Sequence, residues 1–508
     1  MVVVAAVPDQ IVHRKDGERV RNGFGASYDR VTMRVAVLLM SLVCVLSATE
    51  TDSWLKLTTA DFELYTSAGE KQGRATLLHF EQMREFFLKA SPVKKISDSP
   101  VRIIQFGSAK QFQPYGIRSF SPAYYLGTAS RDYIVIGDPA LELSVATHEY
   151  MHLIIQRSGL KIPAWLNEGW ADVYSTLRPM GKETAIGDLL PGRMAELNSK
   201  EWLDFETLTS VDHRSPEYNE AGRAGIFYAE SWALAHMLYL APEYQQNFGK
   251  FVMALHQGKS ASEACQIAWG RSSGKVFADL RAYFRRKQIF GRAFEMSLSK
   301  DQAEPAVDPL TEFDAQLALA DLLAITSKKA EAQRAYELLE KEQPGNAGVA
   351  RSLGYLAGQS GDREKARHYF EKAFDAGDAD PNMCLQLALL EREAGQPPSK
   401  TIPMLERAVK TRPDFADAQM QLGLTRLDVK DFTGAIDALM QLTSISADRA
   451  SAVYCGLGYA RIQTGDLDEA RLNVETCRKW ANTDQERAGV DVLTRMIGSK
   501  SKGAPLPR

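Results

Sequence analysis

The chain has 508 residues, of which 45% are hydrophobic and 25% are charged, a composition typical of globular proteins and sufficient for two or three domains. Its formal net charge is only −3, because 61 Lys and Arg are matched by 64 Asp and Glu. No global electrostatic field therefore favours nucleic acid or an anionic membrane surface, and we expect no binding of nucleic acid.

The first part of the chain has the pattern of a secretory signal that begins at Met33. Residues 1–32 lack a regular apolar period and form a doubtful extension, so we expect translation to start at Met33. A basic residue then precedes an apolar run, from Val35 to Leu46, that is short for a membrane span. Residues 33–48 are thus predicted to be a signal peptide of a secreted or periplasmic protein without a stable membrane span. The alternatives are an N-terminal membrane anchor and a buried helix.

The segment from residue 54 to residue 138 mixes strand and helix patterns. Residues 61–66 alternate between polar and apolar positions, as a half-buried strand does, and further strands are predicted at 101–106 and 133–136. Residues 70–90 have the apolar spacing of an amphipathic helix.

A metal-binding pattern follows the last of these strands. His148, Glu149 and His152 form the motif HExxH, and on a helix the two histidines lie on one face and can bind the same ion. Catalytic zinc usually has three protein ligands and an open position for water. Glu168, in a second helical pattern that follows a turn at Pro163, is the third ligand that we expect, and Glu149 is the base for that water. The alternative, an exposed charged helix turn, conflicts with the apolar residues around the motif, since burying unpaired His and Glu is costly.

These residues, with Asn167 before and Asp172 after the later glutamate, resemble the gluzincin metallopeptidases, the thermolysin-like, peptidase-MA-like group. The resemblance implies a zincin-like catalytic domain of the α+β class over residues 54–290. It also implies that the substrate is a peptide or protein.

The resemblance assigns a role to each matching residue. The ligands of one Zn2+ per chain would be His148, His152 and Glu168. Glu149 would be the general base in hydrolysis of the peptide bond by a zinc-activated water. Asp172 would be the carboxylate that accepts a hydrogen bond from His148 and orients it, a partner that metal-binding histidines usually have.

In thermolysin-like folds, a strand beside the metal helix binds the extended peptide by strand addition. Residues 133–136 and residues 124–126 are the two candidates here. For either segment the alternative is an ordinary strand that is covered on both sides.

A strongly apolar helix is predicted from Tyr218 to Leu240, and it supplies a candidate for stabilising the transition state. Negative charge develops on the carbonyl oxygen during hydrolysis, and a donor other than the zinc is useful there. Tyr228 is our candidate for that donor by resemblance to gluzincins that use a Tyr or His from a later helix, and His236 and His213 are weaker candidates. The alternative for Tyr228 is a role in the core, where aromatic residues at helical spacing usually lie.

After a polar, proline-containing stretch at 291–312, predicted to be a linker, the sequence repeats with a period of about 34 residues. The recurring pairs are Leu319-Ala320, Leu353-Gly354, Leu387-Ala388, Leu422-Gly423 and Leu457-Gly458. This pattern is the signature of tetratricopeptide (TPR) repeats, and it predicts five of them over 313–484 as an all-α solenoid. A terminal helix and a disordered tail are expected over 485–508. We expect a protein partner to bind the groove of the array; the alternative is that the repeats only stabilise or space the catalytic domain.

The four cysteines beyond the signal are widely spaced and form no CxxC pattern. They are Cys265, Cys384, Cys455 and Cys477. We expect each to fill a small apolar position between helices. A disulfide between Cys455 and Cys477, within one helical pair, is the alternative.

Two functions from different classes fit this sequence. The first is an exported zinc metallopeptidase whose TPR array recruits a substrate or partner protein. The second is a catalytically inactive, peptidase-like TPR scaffold that binds protein. Glu149, the predicted base, is present and favours the enzyme. A zinc hydrolase that acts on a non-peptide amide is a third alternative, because zinc and base chemistry do not specify the acyl group.

Overall fold

The computed structural model describes residues 53–90, 100–117, 122–128, 131–137, 143–180, 183–285, 290–295, 297–442 and 445–501. The predicted signal peptide, the extension before it and the residues after 501 lie outside the described residues. The chain divides into two units, Met1–Ala315 and Gln316–Arg508. Within the described ranges, no helix combines the length and apolar character that crossing a membrane requires.

The first unit contains two sheets and a set of helices around them. The strands are β1 (Leu55–Thr58), β2 (Phe62–Thr66), β3 (Val101–Gln105), β4 (Ala123–Gly127), β5 (Asp132–Ile136), β6 (Arg178–Met180), β7 (Glu183–Ile186), β8 (Arg292–Glu295) and β9 (Ala306–Pro309). The helices are α1 (Glu70–Ala90), α2 (Ala109–Phe112, continued by a 3-10 turn at Gln113–Tyr115), α3 (Ser144–Arg157), α4 (Ala164–Ser175), α5 (Pro191–Ser199), α6 (Phe205–Ser210), α7 (Pro216–Asn219), α8 (Ala221–Leu240), α9 (Pro242–Gln245), α10 (Phe248–His256), α11 (Ala261–Trp269), α12 (Ser273–Arg285) and α13 (Lys300–Ala303).

The larger sheet has the strand order β4-β5-β3-β2-β1-β9. Its centre is parallel, since β2 pairs with β3 and β3 pairs with β5 in that sense, whereas β4, β1 and β9 are antiparallel to their neighbours. The smaller sheet has the order β6-β7-β8 and is antiparallel. The predicted strands are therefore present and belong to a mixed sheet, and the predicted helix at 70–90 is present as well.

Helix α3, which carries HExxH, packs against β4 and β5 at the edge of the larger sheet. Its last residue, Arg157, binds the carboxylate of Asp132 at the start of β5 through two nitrogens, one of them Nε at 2.7 Å. After α3 the chain turns at Gly159, whose φ of +72° is a conformation that L side chains rarely adopt. The turn leads to α4, which packs against both α3 and α8.

The contact between α4 and α8 depends on Gly169. A Cβ atom at Gly169 would lie 2.1 Å from the carbonyl oxygen of Ser231 on α8, so a larger residue would push the two helices apart. Because Gly169 directly follows Glu168, the same close approach also constrains the backbone at that glutamate.

The second unit is helical, and its helices follow one another in pairs. The helices are α14 (Glu312–Ile325, which begins before the boundary), α15 (Lys329–Glu342), α16 (Ala347–Gln359), α17 (Arg363–Asp375), α18 (Pro381–Glu393), α19 (Pro398–Thr411), α20 (Ala416–Asp428), α21 (Phe432–Met440), α22 (Ala447–Thr464), α23 (Leu467–Trp480) and α24 (Asp484–Ser501). These boundaries give five helical pairs in the predicted repeat register and a terminal helix after them.

The recurring glycine of the repeat lies where the two helices of a pair come closest. A Cβ atom at Gly354 would lie 2.4 Å from the ring of Phe370, and one at Gly423 would lie 2.5 Å from Leu439. The repeat pattern therefore records a packing requirement: a small residue on the first helix admits a large apolar residue from the second.

Two predictions about this part of the chain need correction. The stretch at 291–312 is not a linker, because it contributes β8 to the smaller sheet and β9 to the larger one, with β9 paired along β1. Its short strands include charged residues and a proline, a composition that also suits an exposed connection. Cys455 and Cys477 form a disulfide between α22 and α23, whereas Cys265 and Cys384 are buried free thiols, as expected of small apolar fillers.

Candidate metal centre

The residues of the predicted metal site converge in the first unit. His148 and His152 lie one turn apart on α3, and α4 brings Glu168 to them. Their candidate donor atoms all lie within 4.8 Å of one another. Glu168 Oε2 is 3.4 Å from His148 Nε2 and 3.5 Å from His152 Nε2, and the two Nε2 atoms are 3.1 Å apart.

The other ring nitrogen of each histidine has an acceptor of its own. Asp172 Oδ1 lies 2.9 Å from His148 Nδ1, and Asn167 Oδ1 lies 3.1 Å from His152 Nδ1. Each Nδ1 is therefore assigned the proton, which leaves both Nε2 lone pairs directed into the space that Glu168 also faces. Asn167 and Asp172 flank Glu168 on α4, so one short helix supplies the third donor and both orienting groups.

The electrostatics of this cluster favour a positive charge at its centre. Burial alone would lower the pKa of His148, but Asp172 and Glu168 outweigh it and raise that pKa to about 10. Burial also opposes the shift of His152, whose pKa Glu168 nonetheless raises. Burial would raise the pKa of Glu168, but the two histidines hold it well below its usual range. Without a metal, protons on the imidazoles supply the positive charge that the carboxylates require.

Arg193 on α5 extends the network beyond Asp172. Its Nε donates to Asp172 Oδ2 at 2.7 Å, while Oδ1 of the same carboxylate faces His148. Burial would raise the pKa of Asp172, but Arg193 and His148 lower it, so the group is a carboxylate that accepts from both sides. Sequence reasoning missed Arg193, since no motif links it to the residues of α3.

Tyr218 on α7 was also missed, and it contacts the predicted third ligand directly. Its hydroxyl donates to Glu168 Oε1 at 2.7 Å. Tyr228, the tyrosine that the sequence analysis favoured, is buried next to it, with ring centroids 5.8 Å apart, and its ring lies 5.2 Å from the guanidinium carbon of Arg193. The role of Tyr228 as a donor stays a prediction.

The two weaker histidine candidates lie in different surroundings. His236 is fully buried on α8, with Nε2 3.0 Å from the Gly187 carbonyl and Nδ1 3.1 Å from the Tyr283 hydroxyl, contacts that account for it as part of the core. His213 is exposed, and its ring packs 4.8 Å from that of Tyr218.

Glu149, the predicted base, is fully buried on α3 beside His148. Its negative charge reaches the cluster, because it contributes to the raised pKa of His152. It also contributes to the raised pKa of Tyr125 on β4, after burial and Asp132.

The donor set fits a divalent metal ion. Two imidazole nitrogens and one carboxylate oxygen, buried together and each held by a further hydrogen bond, match the ligand types and number that catalytic zinc prefers. Three lone pairs that face one another repel unless a proton or a metal ion lies between them. His148, His152 and Glu168 are therefore the residues of the described chain that would hold such an ion.

Comparisons with known proteins address the second unit. The family model of the tetratricopeptide repeat matches residues 352–376, which lie in α16 and α17. No curated protein matches the chain. Two similar solved structures are YrrB, described as a TPR protein with an unusual peptide-binding site, and MamA. YrrB has 17% identity and a TM-score of 0.29, over 37% of this chain and 90% of that one. MamA has 21% identity and a TM-score of 0.27, over 33% of this chain and 91% of that one.

The family match confirms that this chain contains TPR sequence, in the second of the five predicted repeats. TPR units are typically sites of protein–protein contact, so the second unit is of a kind suited to a protein partner.

Proposed function

We propose that this protein is a zinc-dependent metallopeptidase of the gluzincin type, with a TPR array that binds its substrate or a partner protein. The observation that carries the proposal is the convergence of His148 Nε2, His152 Nε2 and Glu168 Oε2, with Asp172 and Asn167 on the opposite ring nitrogens.

The chemistry of the proposed reaction divides between the metal and the protein. A zinc ion, when bound, would act as a Lewis acid that lowers the pKa of a water molecule and polarises a carbonyl group. Glu149 accepts the proton of the attacking water and then passes it to the leaving amine. Asp172 and Asn167 keep the imidazoles oriented, and Tyr228 is the proposed donor to the carbonyl oxygen as charge develops on it.

The sheet edge next to α3 favours one of the two candidate peptide sites. Residues Tyr133–Ile136 lie in β5, which is paired on both sides, with β3 and with β4. Residues Tyr124–Leu126 lie in β4, which pairs with β5 and with no other strand of the described chain. We propose that an extended substrate adds to β4, beside the helix that carries Glu149.

We further propose that the protein is exported. The apolar run that follows Met33 supports a secretory signal, and the disulfide between Cys455 and Cys477 supports an oxidising compartment, where such bonds form and persist.

The second candidate function is a TPR scaffold that binds protein without catalysis, and the tetratricopeptide match at 352–376 favours it. The two candidates share the repeat unit and differ in whether the HExxH cluster turns over a substrate.

A peptide-library cleavage assay separates them. Wild-type protein from residue 49 onward, loaded with zinc, should cleave library peptides, and Glu149→Gln should reduce turnover about 10²–10⁴-fold while it keeps the metal, because only the base is lost. Undiminished turnover in Glu149→Gln would remove Glu149 as the base. A zinc-loaded wild type that cleaves no peptide would favour the scaffold.

A further inference from the structure

The two oxygens of Glu168 have different partners. Oε2 faces the imidazoles of His148 and His152 at 3.4 and 3.5 Å, whereas Oε1 accepts the hydroxyl of Tyr218 at 2.7 Å. A buried carboxylate with both oxygens open can rotate, or bind an ion through one oxygen or two. The hydroxyl of Tyr218 fixes one orientation and leaves a single oxygen directed at the candidate metal centre.

We propose that Tyr218 is a positioning residue that holds Glu168 as a one-oxygen metal ligand. The inference rests on the proposed metal site, and it adds a residue that the HExxH pattern and the later glutamate do not include. Tyr218 acts through Glu168 and needs no contact with the substrate.

The surroundings of Tyr218 fit a role in positioning. It lies on α7, a single turn that starts at Pro216, and the side chain of Asn219 at the end of that turn donates to the carbonyl oxygens of His213 and Ser215. Two aromatic residues of α8 flank the Tyr218 ring, because the centroids of Phe227 and Tyr228 each lie 5.8 Å from it. The hydroxyl therefore reaches Glu168 from a segment that is held at both its backbone and its ring.

The effect on metal binding follows from the lost hydrogen bond. Removing the hydroxyl leaves Glu168 Oε1 buried without that donor, and the carboxylate becomes free to turn away from the histidines. Outer-shell partners of metal ligands typically contribute 10–100-fold to metal affinity. Tyr218→Phe should therefore weaken zinc binding by about 10–100-fold.

The chain offers a matched control. The hydroxyl of Tyr244 on α9 also donates to a carboxylate, Asp279 Oδ2 at 2.8 Å, in the same unit but outside the metal cluster. Zinc affinity is measured by chelator competition on wild type, Tyr218→Phe and Tyr244→Phe, and the visible spectrum of the cobalt-substituted proteins reports the ligand geometry. We expect lower affinity and a changed spectrum for Tyr218→Phe and neither change for Tyr244→Phe.

The outcomes separate this inference from the proposed function. If wild-type protein does not bind added zinc, both the proposed metal site and the role of Tyr218 are overturned. Normal zinc binding by wild type with unchanged affinity and spectrum in Tyr218→Phe would overturn the role of Tyr218 alone. Circular dichroism of the metal-free variants checks folding. Combined with Glu168→Ala, the loss of the hydroxyl should have no further effect on affinity, and an additional loss would contradict the inference.

Discussion

Each unit of this molecule contains a buried glutamate, and the group that neutralises the carboxylate differs between the two units. Glu391 in the second unit is 0% exposed, and Lys400 Nζ lies 2.9 Å from its Oε2. Glu168 in the first unit is 1% exposed, and along the described chain its ion-pair partners are the imidazoles of His148 and His152.

The difference separates a structural carboxylate from a candidate functional one. Burying a charge is costly unless a partner neutralises it, and in the second unit the fold supplies a permanent cation. At Glu168 the positive charge must come from protons on the histidines or from a metal, both of which exchange with solvent. A buried carboxylate whose neutralising charge is exchangeable is the pattern that marks a site.

Glu230 on α8 is a third case, and it gives the largest expected effect on stability. It is 0% exposed, and its Oε1 accepts the Leu203 amide at 2.7 Å. Burial raises its pKa to about 8, against the opposing effects of the Leu203 amide and Arg281, while Asp204 adds slightly to the rise.

The sign of the pH effect follows from that shift. Below the ordinary pKa of 4.5, Glu230 is protonated in both the folded and the unfolded chain, and its contribution is fully present. As the pH rises towards 8, the unfolded chain loses the proton first, so the free energy of unfolding falls by about 3–5 kcal/mol in total. Glu230→Gln should flatten this decline. The free energy of unfolding of the variant, minus that of wild type, should therefore be larger at pH 8 than at pH 5.

Denaturant unfolding at several pH values measures the change in the free energy of unfolding. Tryptophan fluorescence follows mainly the unfolding of the first unit. Of the 7 tryptophans, only Trp480 belongs to the second unit. Identical slopes of stability against pH in the two proteins would show that Glu230 does not hold a proton in the folded state.

The neutralising cation of the second unit can be removed directly. Lys400→Met leaves Glu391 buried without its close cation and should destabilise the second unit by about 2 kcal/mol. This is less than the roughly 3–5 kcal/mol of a fully buried pair, because Lys400 is partly exposed and Arg367 lies 3.7 Å from Glu391.

Thermal unfolding followed by circular dichroism measures the loss, and the double variant Glu391→Gln/Lys400→Met is its control. The double variant should recover part of the stability, since the buried charge of Glu391 is gone. Glu371, which also pairs with Lys400 at 2.8 Å, keeps Arg367 at 3.8 Å. If Lys400→Met is as stable as wild type, Glu391 does not depend on Lys400 and the contrast with Glu168 weakens.

Arg193 sharpens the comparison at the candidate metal centre, with a smaller expected effect. It neutralises Asp172 rather than Glu168, so its removal should loosen the orientation of His148 and leave the ligand set intact. We expect Arg193→Met to lower zinc affinity about tenfold, equivalent to about 1.4 kcal/mol.

Arg178→Met is the matched control for that measurement by chelator competition. Arg178 forms an exposed pair with Asp188 in the same unit, away from the cluster, and its loss should leave zinc affinity unchanged. Equal affinities in both variants and wild type would mean that Asp172 orients His148 without help from Arg193.

The parts that local spacing determines were predictable from the sequence. HExxH places His148 and His152 on one face of a helix whatever the rest of the fold, and the repeat register follows from a period that recurs five times along the chain. The composition of short, partly charged strands gave no such signal, which is why β8 and β9 were predicted as a linker.

Contacts between elements distant in sequence could not be predicted in the same way. Arg193 reaches Asp172 across 21 residues, and Tyr218 reaches Glu168 across 50. Tyr218 lies just before α8 and Tyr228 lies within it. Nothing in the sequence indicates that Tyr218, and not Tyr228, forms the hydrogen bond to Glu168. The choice of β4 over β5 as the free edge likewise required the strand order, which alternating patterns do not give.

The most direct test of the account is the metal content of the purified protein, measured by mass spectrometry on wild type and on His148→Ala, each from residue 49 onward. We expect about one zinc per wild-type chain and a loss of that zinc in the variant. A folded wild type that contains no zinc and takes up none when zinc is supplied would contradict it, and the HExxH cluster would then be a structural feature of a TPR scaffold.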